Sequence, residues 1–261
     1  VLVAPLRKSR RAAHRAAHWA DLRAVHLSGR YDRSPESLRE QLEAAARRAD
    51  VITVTEVDRP QRGDVLRGLA GFRLLRRGNG QRGESAILVR TAVWEVVAWD
   101  AVMLVKDLDG QRGGQVAPIA LLRHRATGCT LLVSTTHTSA GVEAGWAASA
   151  RAREHRDAVA VWRHTVLAWR RRYRPDGELV VADWNLDALR PWVRAWIRSA
   201  WPGLTLPKRL PKKGTHGRRL IDWCLTRRIH RPRIRVMALT PASDHRGIHI
   251  TGTIRPRKEH R

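Results

Sequence analysis

Several apolar, strand-like runs in this sequence stop at, or carry, residues able to do acid–base and metal chemistry. Glu56 follows VITVT, His137 follows LLVSTT, and Asp183 and Asn185 follow LVVA; Asp222 sits inside RLIDWCLT, and Asp244-His245 precede a final apolar run. Hydrolysis of a phosphate ester needs just such groups: charge neutralisation at phosphorus, an activated water, and a proton for the leaving oxygen. Hard divalent cations such as Mg²⁺ or Mn²⁺ take carboxylate oxygens and keep waters. Two histidines can serve as base and acid while neighbouring carboxylates orient them. Singly, each residue has an ordinary explanation, because Asp or Asn after a strand is usually a turn residue. Asp222 within an apolar run is harder to explain locally, since an unpaired buried charge is strongly disfavoured. A convergent site accounts for all of them together.

The elements that must hold these residues follow from hydrophobic periodicity and turn signals. Strands are expected at 22–27, 51–55, 72–75, 86–90, 94–99, 116–124, 130–136, 179–182, 220–226, 234–239 and 248–254. Ser34-Pro35-Glu36 reads as N-cap, first-turn proline and first-turn acid of a helix running to about Arg48. Further helices are expected around 64–69, from about 142 to 173, and at 189–200, with GNGQRG and GQRGG as Gly-rich turns. Strand runs with interspersed helices suit two sheets packed face to face with helices outside.

Length and composition fit one catalytic domain over 21–256, a basic N-terminal arm over 1–20, and a basic tail over 257–261. The formal net charge of +26 predicts attraction to polyanions, through counterion release from phosphates. Cys129 and Cys224 lie in apolar runs and read as buried free thiols, with no zinc or disulfide pattern. No apolar run reaches the roughly 18–20 residues of a membrane span. The basic start VLVAPLRKSRRAAHRAAHW has no apolar signal core, so a cytoplasmic monomer is expected.

The ordered series TEV at Glu56, STTH at His137, ADWN at Asp183 to Asn185, RLIDW at Asp222 and SDH at Asp244-His245 resembles the endonuclease/exonuclease/phosphatase superfamily. That superfamily includes DNase I, exonuclease III-like repair nucleases, sphingomyelinases and inositol-polyphosphate phosphatases. The resemblance covers about Asp21 to Ile254 and implies a four-layer αββα sandwich of two mostly antiparallel sheets, DNase I-like. It implies that Glu56 is the main ligand of Mg²⁺ or Mn²⁺, with Asp244 adding to the metal site. Asp183 and Asn185 would orient the attacking water and the phosphate. His245, with Asp222 as its carboxylate partner, would contact the phosphate or act as base. His137 would protonate the leaving group, paired with Glu84 of GESAILVR. The family's first strand usually ends in an asparagine that helps hold the metal; here LRAVHLSG carries His26 and Ser28 instead. Either residue substitutes for it, or the metal site is weakened.

Family likeness does not choose the substrate. Charge favours nucleic acid, and DNA in particular. The basic segment 208–219, with Lys212, Lys213, Arg218 and Arg219, stands just before the Asp222 strand and could bind phosphates beside the cleft, as could RGNGQRG and RPRKEHR. Two alternatives stay open: a phosphatase or lipid phosphodiesterase of the same superfamily, and a non-catalytic basic DNA-binding protein on the same fold.

Overall fold

Alternation along the strands sorts side chains into two faces, and both faces of nearly every central strand are apolar. In β8 (Gly177–Asp183), Leu179 and Val181 face one core while Val180 and Ala182 face another. Such strands must be covered on both sides, which is what the computed structural model shows. It describes residues 19–29, 34–57, 60–77, 84–104, 115–238 and 243–257. The N-terminal arm apart from its last two residues, the GNGQRG and GQRGG turns, and the end of the basic tail lie outside the described residues.

Two sheets form the centre. The first has the order β10–β11–β1–β2–β4–β3, from β1 (Ala20–Ser28), β2 (Val51–Thr55), β3 (Phe72–Leu75), β4 (Ala86–Arg90), β10 (Ile229–Val236) and β11 (Ile248–Ile254). The second has the order β5–β6–β7–β8–β9, from β5 (Trp94–Met103), β6 (Val116–His124), β7 (Thr130–His137), β8 and β9 (Asp222–Arg227). Pairing is antiparallel except between β1 and β2 and between β7 and β8, so both sheets are mixed. Helices α1 (Pro35–Ala46) and α2 (Pro60–Arg67) cover the outer face of the first sheet, where Leu38, Leu42 and Leu66 meet Val25, Ile52 and Val54. Helices α3 (Ala150–Tyr173) and α4 (Pro191–Ala200) cover the second, where Val159, Trp162 and Ile197 meet Leu132, Val180 and Leu225. A middle core of Leu22, Val51, Ile87, Leu131, Val181 and Ile250 joins the sheets. The result is the expected αββα sandwich.

Differences from the sequence reading are mostly at element ends. The long helix starts at Ala150, not near Val142, because Ser149 caps it and a separate 3₁₀ turn occupies Glu143–Gly145. The helix expected around 64–69 is α2, Pro60–Arg67. The strand expected at 234–239 is β10, which begins at Ile229 and contains a register shift between His230 and Arg233. Ser34 caps α1 as expected, its hydroxyl accepting from the Ser37 amide at 3.2 Å. Cys129 and Cys224 are buried free thiols. Trp201 is fully buried, and Trp192 and Trp196 pack on Trp146, so these tryptophans build core.

Candidate active site

The inward-facing rows of the sandwich are apolar through its middle and turn polar at one end. On β1 the row Leu22, Ala24 continues into His26 and Ser28; on β2, Val51 continues into Thr53 and Thr55. On β7, Leu131 and Val133 lead to Thr135 and His137; on β8, Leu179 and Val181 lead to Asp183; on β9, Cys224 is preceded by Asp222. Strand register then sets the residues side by side. His137 pairs with Asp183 across the parallel β7–β8 ladder, and Asp183 with Asp222 across β8–β9. Adjacent strands lie about 4.8 Å apart, so three chemically active side chains form one row. Glu56, just beyond β2, comes in from the opposite sheet.

Two imidazoles dominate this row, and each has Nδ1 against a carboxylate. His137 Nδ1 lies 2.9 Å from Glu84 Oε2, and His245 Nδ1 lies 2.9 Å from Asp222 Oδ2. His137 Nε2 is 3.6 Å from both Glu56 Oε1 and Asp183 Oδ2. Burial opposes charging of His137, but Glu84, Asp183 and Glu56 outweigh it and raise the imidazole to about 10. Burial likewise opposes charging of His245, and Asp222, Asp183 and Glu56 raise it to about 9. The carboxyls diverge. Burial, reinforced by Asp183 and Asp244, pushes Glu56 up to about 7, although His137 and His245 pull the other way. Burial and the neighbouring Asp222 also raise Asp183. Asp222 is equally buried, yet bonding to His245 and the proximity of His26 hold it well below the usual carboxylate range.

The loop after β8 carries the ADWN motif and is fixed on several sides. Asn185 has left-handed backbone (φ 51°); its amide donates to Asp183 Oδ1 at 3.1 Å and its side-chain nitrogen to the Thr138 carbonyl at 2.7 Å. Glu56 is also left-handed (φ 59°), a conformation with a steric cost for a residue other than glycine or asparagine. Trp184 and Trp223, each next to a site aspartate, stack at 4.2 Å with 6° between their planes. Their indole nitrogens donate to the carbonyls of Trp223 and Leu186. This stack ties the Asp183 loop to the start of β9.

The structure therefore brings Glu56, Glu84, His137, Asp183, Asn185, Asp222 and His245 to one end of the sandwich. Asp222 opens β9 and is not mid-strand. Asp244 is close enough to raise Glu56, and its Oδ2 lies 3.6 Å from His216 Nε2. Lys212, Lys213 and Arg218 are exposed, whereas Arg219 is tied to Glu143 at 2.7 Å and approaches the Asn185 carbonyl at 3.4 Å. Arg219 thus braces the ADWN loop. One participant, His216, was not singled out by sequence, and another, His26, was read only as standing where an asparagine was expected. His216 lies beside His245, their ring centres 4.9 Å apart and their planes tilted by 50°, and the sequence signal for it was its place between two glycines in KGTHGRR. His26 reaches Asp222 from β1, with Nε2 3.5 Å from Oδ1 and Nδ1 2.9 Å from Thr53 Oγ1. Ser28, the other residue at the expected asparagine's end of β1, is buried.

The donor chemistry suits a divalent cation. Among the described residues Asp183 Oδ2 is buried without a hydrogen-bond donor, and burial raises nearby Glu56 to about 7. Donor atoms of Glu56, His137 and Asp183 lie within 4.8 Å of one another. A cation there would neutralise both carboxylates and polarise a phosphoryl oxygen.

This architecture is the DNase I-like α/β sandwich. Among solved structures, the chain is similar to an endonuclease/exonuclease/phosphatase family protein from Bacteroides thetaiotaomicron, at 14% identity and TM-score 0.67, over 90% of this chain and 98% of that one. It is also similar to D. rerio TDP2 complexed with single strand DNA product, at 14% identity and TM-score 0.62, over 89% and 99% of the two chains. Sphingomyelinase C from Streptomyces griseocarneus is similar at 16% identity and TM-score 0.66, over 89% and 99%. No family model matches the sequence, and no curated protein matches it.

Proposed function

We propose that this protein is a divalent-metal-dependent phosphodiester hydrolase acting on DNA. The observation that carries the reading is the registered row His137, Asp183, Asp222, with both neighbouring imidazoles backed by carboxylates and Glu56 approaching from the other sheet. Glu56 is the principal ligand for Mg²⁺ or Mn²⁺, aided by Asp183; bound there, the cation supplies charge neutralisation at the phosphate. Asp183 and Asn185 orient the attacking water and the scissile phosphate. His245, its Nδ1 held by Asp222, contacts the phosphate through the other nitrogen. His137, kept protonated by Glu84, gives a proton to the leaving oxygen. DNA is favoured by the net charge of +26 and by the exposed cations of the 208–219 segment beside the site. A relative of the same fold is complexed with a DNA product, which agrees with this choice.

The test is plasmid nicking by purified protein in Mg²⁺, Mn²⁺ or EDTA, with Glu56→Gln alongside. Metal-dependent nicking that is lost in Glu56→Gln, while DNA retention on a gel persists, is the expected result. DNA binding without cleavage would overturn the nuclease reading in favour of a small phosphoester, a lipid, or a purely binding role.

A further inference from the structure

We propose that the outward face of β10 and β11 is a second nucleic-acid contact, which holds a DNA phosphate backbone at the end of the sheet away from the active site. It rests on the DNA reading for its ligand but uses none of the catalytic residues.

Alternation sets the composition of this face. Along β11, Ile248, Ile250 and Ile254 turn into the middle core, so His249, Thr251 and Thr253 turn outward. Their partners on β10 are Arg235, Arg233 and His230. The helix-covered core on this side of the sheet draws on β1, β2 and β4 and buries no residue of β10 or β11. Arg231, Arg233, Arg235 and Arg255 are exposed, and among the described residues none pairs with a carboxylate. By contrast Arg23, an outward residue of β1, is tied to Asp50 at 2.8 Å. β1, β10 and β11 together carry one acid, Asp21, opposite Thr253. Positive charge is therefore in surplus, and two imidazoles feel it. Burial, then Arg48, Arg235 and Arg23, lower His249 although it bonds the Arg48 backbone; burial, Arg255 and Arg231 lower His230. Residues 1–18, which join the chain at Trp19, add five cations and no acid by sequence, so this arm does not complement the face.

A hollow of about 530 Å³ opens here between Trp19, His230, Arg233 and Arg255. A bulge in β10 shapes it: the register slips between His230 and Arg233, and Arg231 is left-handed at φ 50°, an unfavourable conformation for arginine. Gly252 admits the bulge, since a Cβ there would lie 2.5 Å from Ile229 Cγ2 and 3.2 Å from the His230 carbonyl oxygen. The Arg255 guanidinium lies 3.9 Å from the Trp19 ring centre, and Trp19 meets His230 edge-on at 6.0 Å. Stacking orients the flat guanidinium and leaves its edge donors for phosphate oxygens.

Bulge, proline and charge also keep an edge strand from pairing, and β10 is an edge strand. That purpose accounts for Arg231 and Pro232. It does not account for Arg255 and Trp19, which flank the inner strands β11 and β1. An anionic membrane would favour apolar side chains beside the cations. Among the described residues the exposed large apolar ones, Val97, Trp99, Met103 and Val161, lie on β5 and α3. Here threonine and histidine accompany the arginines, and arginine and threonine are common phosphate-backbone contacts. Thr253 is five residues along β11 from Ile248, which pairs with His26 at the site end, so the two places are roughly 17 Å apart along the strand. A stiff duplex crossing the active site does not fold back onto this face, so the contact takes a second stretch of DNA. Holding that stretch raises the local concentration of substrate, as a tether does.

The experiment counts duplexes of about one helical turn bound by the full chain in EDTA, by fluorescence anisotropy at low salt. Arg233→Gln, Arg235→Gln and Arg255→Gln are combined in one variant; Arg39→Gln, Arg153→Gln and Arg198→Gln, at exposed positions on α1, α3 and α4, remove the same charge elsewhere. The parent should bind two duplexes. The β10–β11 variant should bind one, or bind the second at least about tenfold more weakly, while the control set matches the parent. Both variants should keep the parental circular dichroism. If the two variants bind alike, the surface does not exist. If the β10–β11 variant keeps both duplexes but no longer binds phosphatidylserine vesicles that the parent binds, the face is a membrane contact and the proposal fails. Nicking is read separately with metal present: no nicking by the parent, with the second duplex still lost in the variant, would remove the nuclease reading and leave this surface standing.

Discussion

His26 and Asp222 meet between the two sheets, Nε2 to Oδ1 at 3.5 Å, with both side chains shut off from water. Asp222 is thereby set between two imidazoles, His26 on one oxygen and His245 on the other. Thr53 decides which proton His26 carries. If its hydroxyl donates to the Val25 carbonyl, 3.5 Å away, it must accept from Nδ1–H; Nε2 then needs a second proton to face a carboxylate. If it donates to Nδ1, the neutral ring points Nε2–H at Asp222. Either state supports Asp222 from the end of β1. His26→Ala should lower kcat by about tenfold with little change in KM, and add almost nothing on top of Asp222→Asn. Steady-state kinetics on the single and double variants measures this. Additive losses would show that His26 does not act through Asp222.

Glu56 links the site to stability. Its folded-state value of about 7 lies above its ordinary 4.5, so the folded chain holds this proton more tightly than the unfolded chain does. Stability from this group is therefore full below pH 4.5, declines as pH rises toward 7, and stays lost above it. Without metal at pH 8, Glu56→Gln should be more stable than the parent by on the order of 2–3 kcal/mol. Added Mg²⁺ should close that gap by stabilising only the parent. Urea melts in EDTA and in Mg²⁺ test both statements.

His137 should serve as an acid over a wide pH range, because Glu84 and the neighbouring carboxylates raise it to about 10. His137→Ala should slow turnover by about a hundredfold or more. Glu84→Gln keeps the imidazole but removes its main support, so the alkaline limb of the kcat profile should move to lower pH. An unshifted limb would dissociate Glu84 from His137.

The exposed cations before β9 should bind phosphate without reading sequence. Changing Lys212, Lys213 and Arg218 together to alanine should weaken binding to all duplexes alike. Each lost phosphate contact should flatten the log K against log salt line by about 0.9. Fluorescence anisotropy across a salt series measures the slope; an unchanged slope would place the DNA elsewhere.

The strands were readable as short apolar, often β-branched runs bounded by turn residues, and the site residues because polar side chains interrupt those runs where buried charge is costly. The partnerships were less readable. Glu84 and His137 belong to different sheets, and nothing in GESAILVR fixes how the sheets superpose. His26 looked like a defect in a familiar strand ending, because its partner Asp222 comes far later in the chain. The 208–219 segment read as a basic loop, and its glycines gave no hint that Thr215 would bind the Asp222 amide. Arg219 looked like a phosphate ligand until Glu143, in a turn hidden within an apparently continuous helix, was found to hold it.

The pairing of β1 with β11 has a consequence for how the site is completed. β1, the first described strand, is closed on one side by β2 and on the other by β11, the last described strand, with Ile254 opposite Ala20 and Ile248 opposite His26. Asp244 and His245 arrive only with that closing strand. Until that strand docks beside β1, Glu56, His137 and Asp183 stand without Asp244 and His245, so two segments far apart in the chain must be joined before the site is whole.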